Sequence, residues 1–306
     1  MPLEYNTYRL AVTVLEVIQR STDFLAKKDV ESPRLQVELL LSHVLKLPRM
    51  QLYLNFSREL AEPELANLRE LVRRRGLREP LQHIVGSTSF CGLELKVTNH
   101  VLVPRPETEL LAEFGWNFLK ELHNANTNEI TALDFGTGSG CLAITLAVKS
   151  PNAHVTALDI SEDALAIARE NAMGHQVESR IEFLQGDGLA ALPASTQFNL
   201  IVANPPYIST GEIATLDAEV RDFDPRLALD GGADGLDFYR RISSEAPAFL
   251  KPNARIMLEF GDGQESEIQK IFESQKWIVE AVKADYSKRP RILIARAGES
   301  PASGAQ

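Results

Sequence analysis

Cysteine is scarce in this sequence. Cys91 and Cys141 are its only two, too few for a disulfide framework and without the spacing of a metal site. The six histidines are scattered and never fall at paired ligand spacing, so no metal is expected. No run approaches the roughly 20 apolar residues that span a bilayer. The opening Met1-Pro2-Leu3-Glu4-Tyr5-Asn6 has neither the basic nor the apolar region of a secretory signal. A cytoplasmic protein with no membrane partner is expected. Positive charge is also missing where a nucleic-acid grip would need it. The net charge is -10, unevenly placed: residues 1–90 carry 13 Lys+Arg against 11 Asp+Glu, and residues 91–306 carry 19 against 31. The larger part, at -12, repels phosphates at long range, so no direct nucleic-acid partner is expected.

What is there is a globular composition, 44% apolar and 24% charged, in 306 residues. That length suggests one large and one small domain. The first 87 residues read as helices. Leu10, Val14, Val17, Ile18 and Leu25 form one apolar stripe; Leu35, Leu39, Leu40, Val44 and Leu45 form a second; Leu60, Leu65, Leu68, Leu71 and Val72 form a third. Ser32-Pro33 starts the second helix and Leu47-Pro48 ends it. Arg73-Arg74-Arg75 is either a nucleic-acid patch or, more commonly, a solvated helix end matched to the dipole. Over 88–104, apolar residues alternate (Phe90, Leu93, Leu95, Val97, Val101, Val103) around a turn at Thr98-Asn99-His100, which predicts a β-hairpin linker.

Residues 105–297 contain short apolar runs at 130–135, 154–159, 181–185, 198–203, 255–260, 277–282 and 291–295. Helical patterns lie around 140–149, 162–173, 235–250 and 264–275. This is an α/β, doubly wound, seven-stranded sheet. The last two strands are joined too closely for a parallel crossover, so they are expected to be antiparallel, as in the class I methyltransferase type. Residues 298–306 read as a disordered tail.

The first strand delivers Asp134-Phe135-Gly136-Thr137-Gly138-Ser139-Gly140 and then a helix. Three glycines let the backbone turn and approach a ligand. The G-x-G-x-x-G register of dinucleotide sites fails at Cys141, which favours a cofactor without a pyrophosphate, its amino-acid end over the loop. Asp134 is placed to hold an ammonium group directly or through water. Asp159 closes the second strand, where a carboxylate accepts ribose hydroxyls; capping the helix after Ser161 is its alternative role. Asp187 ends the third strand and is the natural acceptor for an adenine amino group, with a plain tight turn as the rival.

The fourth strand runs into Asn204-Pro205-Pro206-Tyr207. The prolines remove two donors, leaving carbonyls that only accept; Asn204 adds an amide oxygen and Tyr207 a ring face. An amide or exocyclic amine is a poor nucleophile because its lone pair is delocalised. Two acceptors that hold both N–H groups, the Asn204 side chain and the Pro205 carbonyl, orient such a nitrogen and favour its rehybridisation.

The chain resembles the peptide chain release factor glutamine methyltransferases over nearly its whole length. The resemblance rests on Glu79-Pro80-Leu81, Gly86, Phe90-Cys91-Gly92 and Val101 to Glu109 (Val-Leu-Val-Pro-Arg-Pro-Glu-Thr-Glu). It continues through the glycine loop, Asn204–Tyr207, Gly232-Ala233-Asp234-Gly235-Leu236, Leu258-Glu259-Phe260-Gly261 and Gln264. It implies S-adenosyl-L-methionine as donor and the N5 amide of the glutamine in the GGQ motif of class-1 release factors as acceptor. It implies that Gly136 to Gly140, Asp159 and Asn204 contact the donor region, and that Asn204 to Tyr207 cradle the glutamine. It further implies a helical N-terminal domain that helps recognise the release factor, joined by a hairpin to the catalytic domain. The chain departs from the family at Gly188, where many relatives are bulky, at His83 for a common tyrosine, and at Asn253 for a frequent glycine. A ribosomal-protein glutamine methyltransferase, which carries a Pro-Arg-Ser-Pro type segment, is the near alternative to Pro104–Glu109. An adenine-N6 nucleic-acid methyltransferase shares the acceptor turn but must contact phosphates. An adaptor that binds the donor without turnover is a third reading.

Overall fold

The computed structural model describes residues 12–298 apart from 126 and 128. Leu10, the opening hexapeptide and the tail from 299 lie outside the described residues. Five helices come first: α1 (Val14–Ala26), α2 (Pro33–Leu45), α3 (Arg49–Leu54), α4 (Glu62–Gly76) and α5 (Leu81–Val85). Then follow β1 (Ser87–Phe90), β2 (Leu93–Lys96), α6 (Pro106–Asn124), β3 (Ile130–Phe135), α7 (Cys141–Lys149), β4 (Ala153–Asp159) and α8 (Glu162–Gly174). The remainder is β5 (Ile181–Gln185), β6 (Phe198–Ala203), α9 (Ala218–Phe223), α10 (Asp237–Glu245), β7 (Leu250–Glu259), α11 (Glu265–Ser274), β8 (Trp277–Ala284) and β9 (Pro290–Ala297). The chain forms two compact units, one of residues 1–86 and 218–223, the other of residues 87–217 and 224–306.

In the helical unit, Thr13 and Glu16 form a reciprocal capping box that starts α1, which satisfies two otherwise orphaned amides. Pro33 occupies the first turn of α2, and Lys46 in the left-handed region ends that helix just before Leu47-Pro48. The buried members of the three stripes meet in one core. The arginines that close α4 are each paired: Arg73 with Glu70, Arg74 with Glu79, Arg75 with Glu219. They do not form an open basic patch. Glu219 lies on α9, a segment the chain sends into this unit between Asp217 and Asp224. Its carboxylate accepts from Arg75 at 2.8 Å and from Arg78 at 2.6 Å through each oxygen.

The second unit opens with the β1–β2 hairpin. Its turn falls at Cys91-Gly92, not at Thr98–His100, because both residues are left-handed (φ 51° and 79°) and so form the two-residue turn that matches strand twist. Thr98–His100 does turn, with Val101 N–H donating to Thr98 O, but beyond the hairpin. The seven-stranded sheet has the order β5-β4-β3-β6-β7-β9-β8. The first five are mutually parallel, and β9 is antiparallel to both its neighbours. Side chains alternate between two layers, as period-two burial requires. Ala132, Leu200 and Val202 join the layer under α6, α7 and α8; Leu133, Ile201 and Ala203 join the layer under α10 and α11. The chain leaves β3 and β6 in opposite directions, so a crevice opens where their carboxyl ends meet.

Candidate active site

That crevice is a cleft of about 980 Å³, open to solvent, whose walls include Gly136, Gly138, Asp159, Asp187, Asn204 and Pro206. Four strand ends therefore converge on one space. Gly136, Gly138 and Gly140 all have positive φ (72°, 54° and 82°), a conformation that disfavours any side chain. The Gly136 and Thr137 amides donate to Leu158 O at 2.8 and 3.0 Å, which binds the loop to the end of β4. At Gly140 a methyl group would lie 2.8 Å from Ile144 and 3.1 Å from Ala168, so α7 can pack this closely on α8 only with glycine there. Thr137 and Ser139 are buried behind the loop and do not line the cleft. Asn171 holds the loop from outside, donating to Ser139 O at 2.9 Å and to Lys96 O at 3.0 Å.

Asp134 is fully buried. Its Oδ2 accepts from Thr137 Oγ1 at 2.6 Å and from the Ala143 amide at 3.0 Å, which fixes the first turn of α7 on the loop. Oδ1 is buried without a hydrogen-bond partner among the described residues. Burial raises its carboxyl to about 7, against the opposing effect of the Thr137 and Ala143 bonds. Asp159 accepts from the Gly138 amide at 2.8 Å and from the Ser161 amide at 2.9 Å. Its carboxyl is also raised, by burial first. The cap of α8 is Ser161, whose Oγ accepts from Ala164 N at 3.2 Å, so Asp159 is not the capping residue. Asp187 pairs through Oδ1 with Arg241 Nη1, and its carbonyl takes Arg241 Nη2. The guanidinium occupies the space a side chain at residue 188 would need: a Cβ on Gly188 would lie 2.3 Å from Nη2. Arg241 from α10 thus fills the space beside Gly188.

Asn204 follows β6 and faces the cleft. Its Nδ2 donates to Thr108 Oγ1 at 3.0 Å, and no described residue donates to its Oδ1. The next carbonyl, of Pro205, likewise receives no hydrogen bond from a described residue. The backbone after it is moulded from behind. Added methyl groups on Gly231 and Gly235 would lie 2.7 Å from Pro206 O and 2.3 Å from Tyr207 O. Gln264 Nε2 donates to Tyr207 O at 2.9 Å while its Oε1 accepts the Gly261 amide at 2.9 Å. Tyr207 does not line the cleft; its ring edge packs against Gly261. Burial, with Glu259 nearby, pushes its hydroxyl up to about 12. Sequence reasoning missed Thr108, Arg241 and the role of Glu259. The signal available was an acid, Glu259, at the carboxyl end of a buried strand. Among the described residues no cluster could hold a metal ion, and no helix is long and apolar enough to cross a membrane.

A family model described as the PrmC N-terminal domain matches residues 16–86, and one described as the methyltransferase small domain matches residues 114–221. The chain is 43% identical over 260 residues to the release factor glutamine methyltransferase of Geobacter sulfurreducens, covering 85% of this chain and 88% of that protein. It is 41% identical over 284 residues to that of Chlorobaculum tepidum, covering 92% and 96%. Among solved structures, the hMettl16 catalytic domain matches with a TM-score of 0.51 at 15% identity, over 77% of this chain and 84% of that one. That likeness shows the fold alone. Parallel strands closed by an antiparallel pair, with a glycine loop at the crevice, define a class I methyltransferase. Within that class, the chain belongs to the release factor glutamine methyltransferase family.

Proposed function

We propose that this protein transfers a methyl group from S-adenosyl-L-methionine to N5 of the glutamine in the GGQ motif of class-1 release factors. The observation that carries this reading is Asn204 on the cleft wall, its Oδ1 accepting from no described residue, followed at once by Pro205, whose carbonyl likewise receives no hydrogen bond from a described residue. The donor group would supply an activated methyl on a sulfonium: the new nitrogen–methyl bond forms as the methyl–sulfur bond breaks to a neutral thioether. The methylated nitrogen, now strongly acidic, gives its proton to water, so no strong base is needed before attack. The lining fits such a cation: Asp159 and Asp187 line the cleft beyond successive strands, and Asp134, fully buried and bonded to Thr137 of the glycine loop, has one oxygen without a partner among the described residues.

Each residue then has a role. Gly136 to Gly140 let the backbone pass close under the amino-acid end of the donor, with Thr137 and Ser139 holding the loop's shape. Asp159 keeps lone pairs for the ribose hydroxyls after accepting two amides. Asp187, steadied by Arg241, retains Oδ2 for the adenine amino group. Asn204 and Pro205 each take one N–H of the substrate amide, Pro206 stiffens the turn, and Tyr207, its ring edge against Gly261, supports that turn from behind. The helical unit reads the release factor surface, and the reaction takes place in the cytoplasm, where release factors act.

Methyl transfer to a release factor, with mass spectrometry locating the methyl group, tests the reading. A mass gain of one methyl on the GGQ glutamine is expected; methylation elsewhere, or none, contradicts it.

A further inference from the structure

Behind Asn204 lies a short buried chain of hydrogen bonds. Asn204 Nδ2 donates to Thr108 Oγ1 at 3.0 Å, and Thr108 Oγ1 lies 2.7 Å from Glu259 Oε2. Thr108 sits in the first turn of α6 and Glu259 at the carboxyl end of β7. They are 2% and 1% exposed, so water does not compete for either group. Glu259 is itself held in place, since its backbone carbonyl accepts the Tyr239 hydroxyl at 2.8 Å.

An amide side chain has two ends of similar shape and opposite polarity, and only the oxygen end can take an N–H from a substrate. The chain behind Asn204 settles which end faces the cleft. An ionised carboxylate has no proton to give, so the Thr108 hydroxyl donates to Glu259. Its oxygen is then left to accept, and the group it accepts from is Asn204 Nδ2. With Nδ2 turned inward, Oδ1 points to the cleft. A protonated Glu259 reverses the logic. It can donate to Thr108, whose hydrogen then turns to Asn204 and holds the amide with Oδ1 inward, presenting a donor to the substrate.

We infer that Thr108 and Glu259 are positioning residues for methyl transfer: they form a polarity relay that keeps the Asn204 amide oxygen aimed at the acceptor nitrogen, and they do so while Glu259 is ionised. The inference rests on the acceptor role proposed for Asn204. It costs no reorganisation at the moment of reaction, because the dipole is aimed in advance. The carboxyl is poised for this. Burial raises it to about 7, opposed by the Thr108 bond and by Arg291 and Arg105, and reinforced by Glu107. Tyr207, Tyr239 and Cys141 also feel Glu259, and all three are raised, hence neutral, near neutral pH.

The test measures methyl transfer to a release factor by wild-type protein, Thr108→Val, Thr108→Ser and Glu259→Gln, with donor affinity measured by calorimetry. Thr108→Val keeps the shape and removes the hydroxyl; kcat should fall about 10–100-fold while donor affinity stays within about twofold. Thr108→Ser should restore most of the rate. In wild-type protein kcat should rise with pH through about 7, and Glu259→Gln should lose that acid limb because its side chain no longer titrates. A Thr108→Val enzyme within about twofold of the wild-type kcat, or an acid limb identical in Glu259→Gln and wild type at saturating donor, where an effect of Asp134 on donor binding drops out of kcat, overturns the relay. If Thr108→Val does not fold, the Glu259→Gln pH profile decides. A wild-type protein that labels no release factor sinks the reaction itself, whereas active wild-type protein beside an indifferent Thr108→Val sinks the relay alone.

Discussion

The carboxylate of Asp159 accepts the amide of Gly138 at 2.8 Å, tying the end of one strand to the glycine loop that leaves its neighbour. One side chain thus shapes the loop and lines the cleft beside it. Asp159→Ala should weaken donor binding by roughly tenfold or more, since it removes the ribose acceptor and loosens the loop. Calorimetry with S-adenosyl-L-methionine checks this; an unchanged affinity would remove Asp159 from the site.

Asn204→Ala deletes one of the two acceptors for the substrate amide and leaves the strand intact. Methyl transfer should drop by about 100-fold or more, in the range seen for loss of one preorganised group facing a developing charge. The thermal unfolding midpoint should move little, because Asn204 is only partly buried. Near-normal turnover contradicts the acceptor assignment.

Gly235 contacts the acceptor turn through backbone that cannot yield. A methyl group there would lie 2.3 Å from Tyr207 O, at a φ of 77° that also disfavours a side chain. Gly235→Ala should therefore shift Pro206–Tyr207 and cut kcat about 10-fold or more, with donor affinity within about threefold. Gly211→Ala is the control, since nothing lies within 4 Å of its added methyl and its φ is not positive. Equal effects from the two substitutions would remove Gly235 from the support of the turn.

Asp134 links stability to pH in the sense opposite to most surface acids. Its folded carboxyl is raised to about 7 from an ordinary 3.8, so the folded state holds the proton more tightly than the unfolded chain. That contribution favours folding at low pH and is lost as pH rises from about 4 to about 7. Asp134→Asn does not titrate, so its stability relative to wild type should improve across that window, by at most about 4 kcal/mol. Denaturant unfolding at pH 4.5 and 7.5 measures the difference. A gap that does not change with pH contradicts the raised value.

Glu219 is the shared acceptor of Arg75 and Arg78 in the helical unit, and Arg75 is only 4% exposed. Glu219→Ala leaves that guanidinium one partner short, although Gln36 and Glu79 O still accept from it. A loss of about 2–3 kcal/mol is expected, less than for a fully buried ion pair because Glu219 and Arg78 reach solvent. Urea unfolding checks this; a loss below about 0.5 kcal/mol is what an ordinary surface pair gives and contradicts the role assigned to Glu219.

The seven strands are legible because each reads as a short apolar run with turn residues at its ends, the central β3, β4 and β6 being almost wholly buried and the edge strands β5 and β8 only in part. Ile130–Phe135, Ile181–Gln185 and Phe198–Ala203 fall where their runs do. The hairpin turn was misplaced because Cys91-Gly92 does not look like a two-residue turn until Cys91 is seen at positive φ. α6 is the helix the sequence pattern does not announce by its apolar runs, although Pro106 starts it and Leu111, Ala112, Gly115, Phe118 and Leu119 stripe one face. In the cleft, glycines and strand-end acids announce themselves locally. Thr108 and Glu259 do not: they are 151 residues apart and meet only because α6 packs beside the end of β7. Arg241 reaches Asp187 across 54 residues for the same kind of reason, and Gly188 gives way to it.

The identity of the acceptor nitrogen separates a release factor substrate from every alternative. Incubating the protein and labelled S-adenosyl-L-methionine with a class-1 release factor, its GGQ→GGA form, a ribosomal protein and DNA measures this directly. Label should enter the intact release factor alone, at the GGQ glutamine. Label in the GGA form, or in DNA in preference to the release factor, would contradict the assignment of Asn204 and Pro205 as the cradle of that amide.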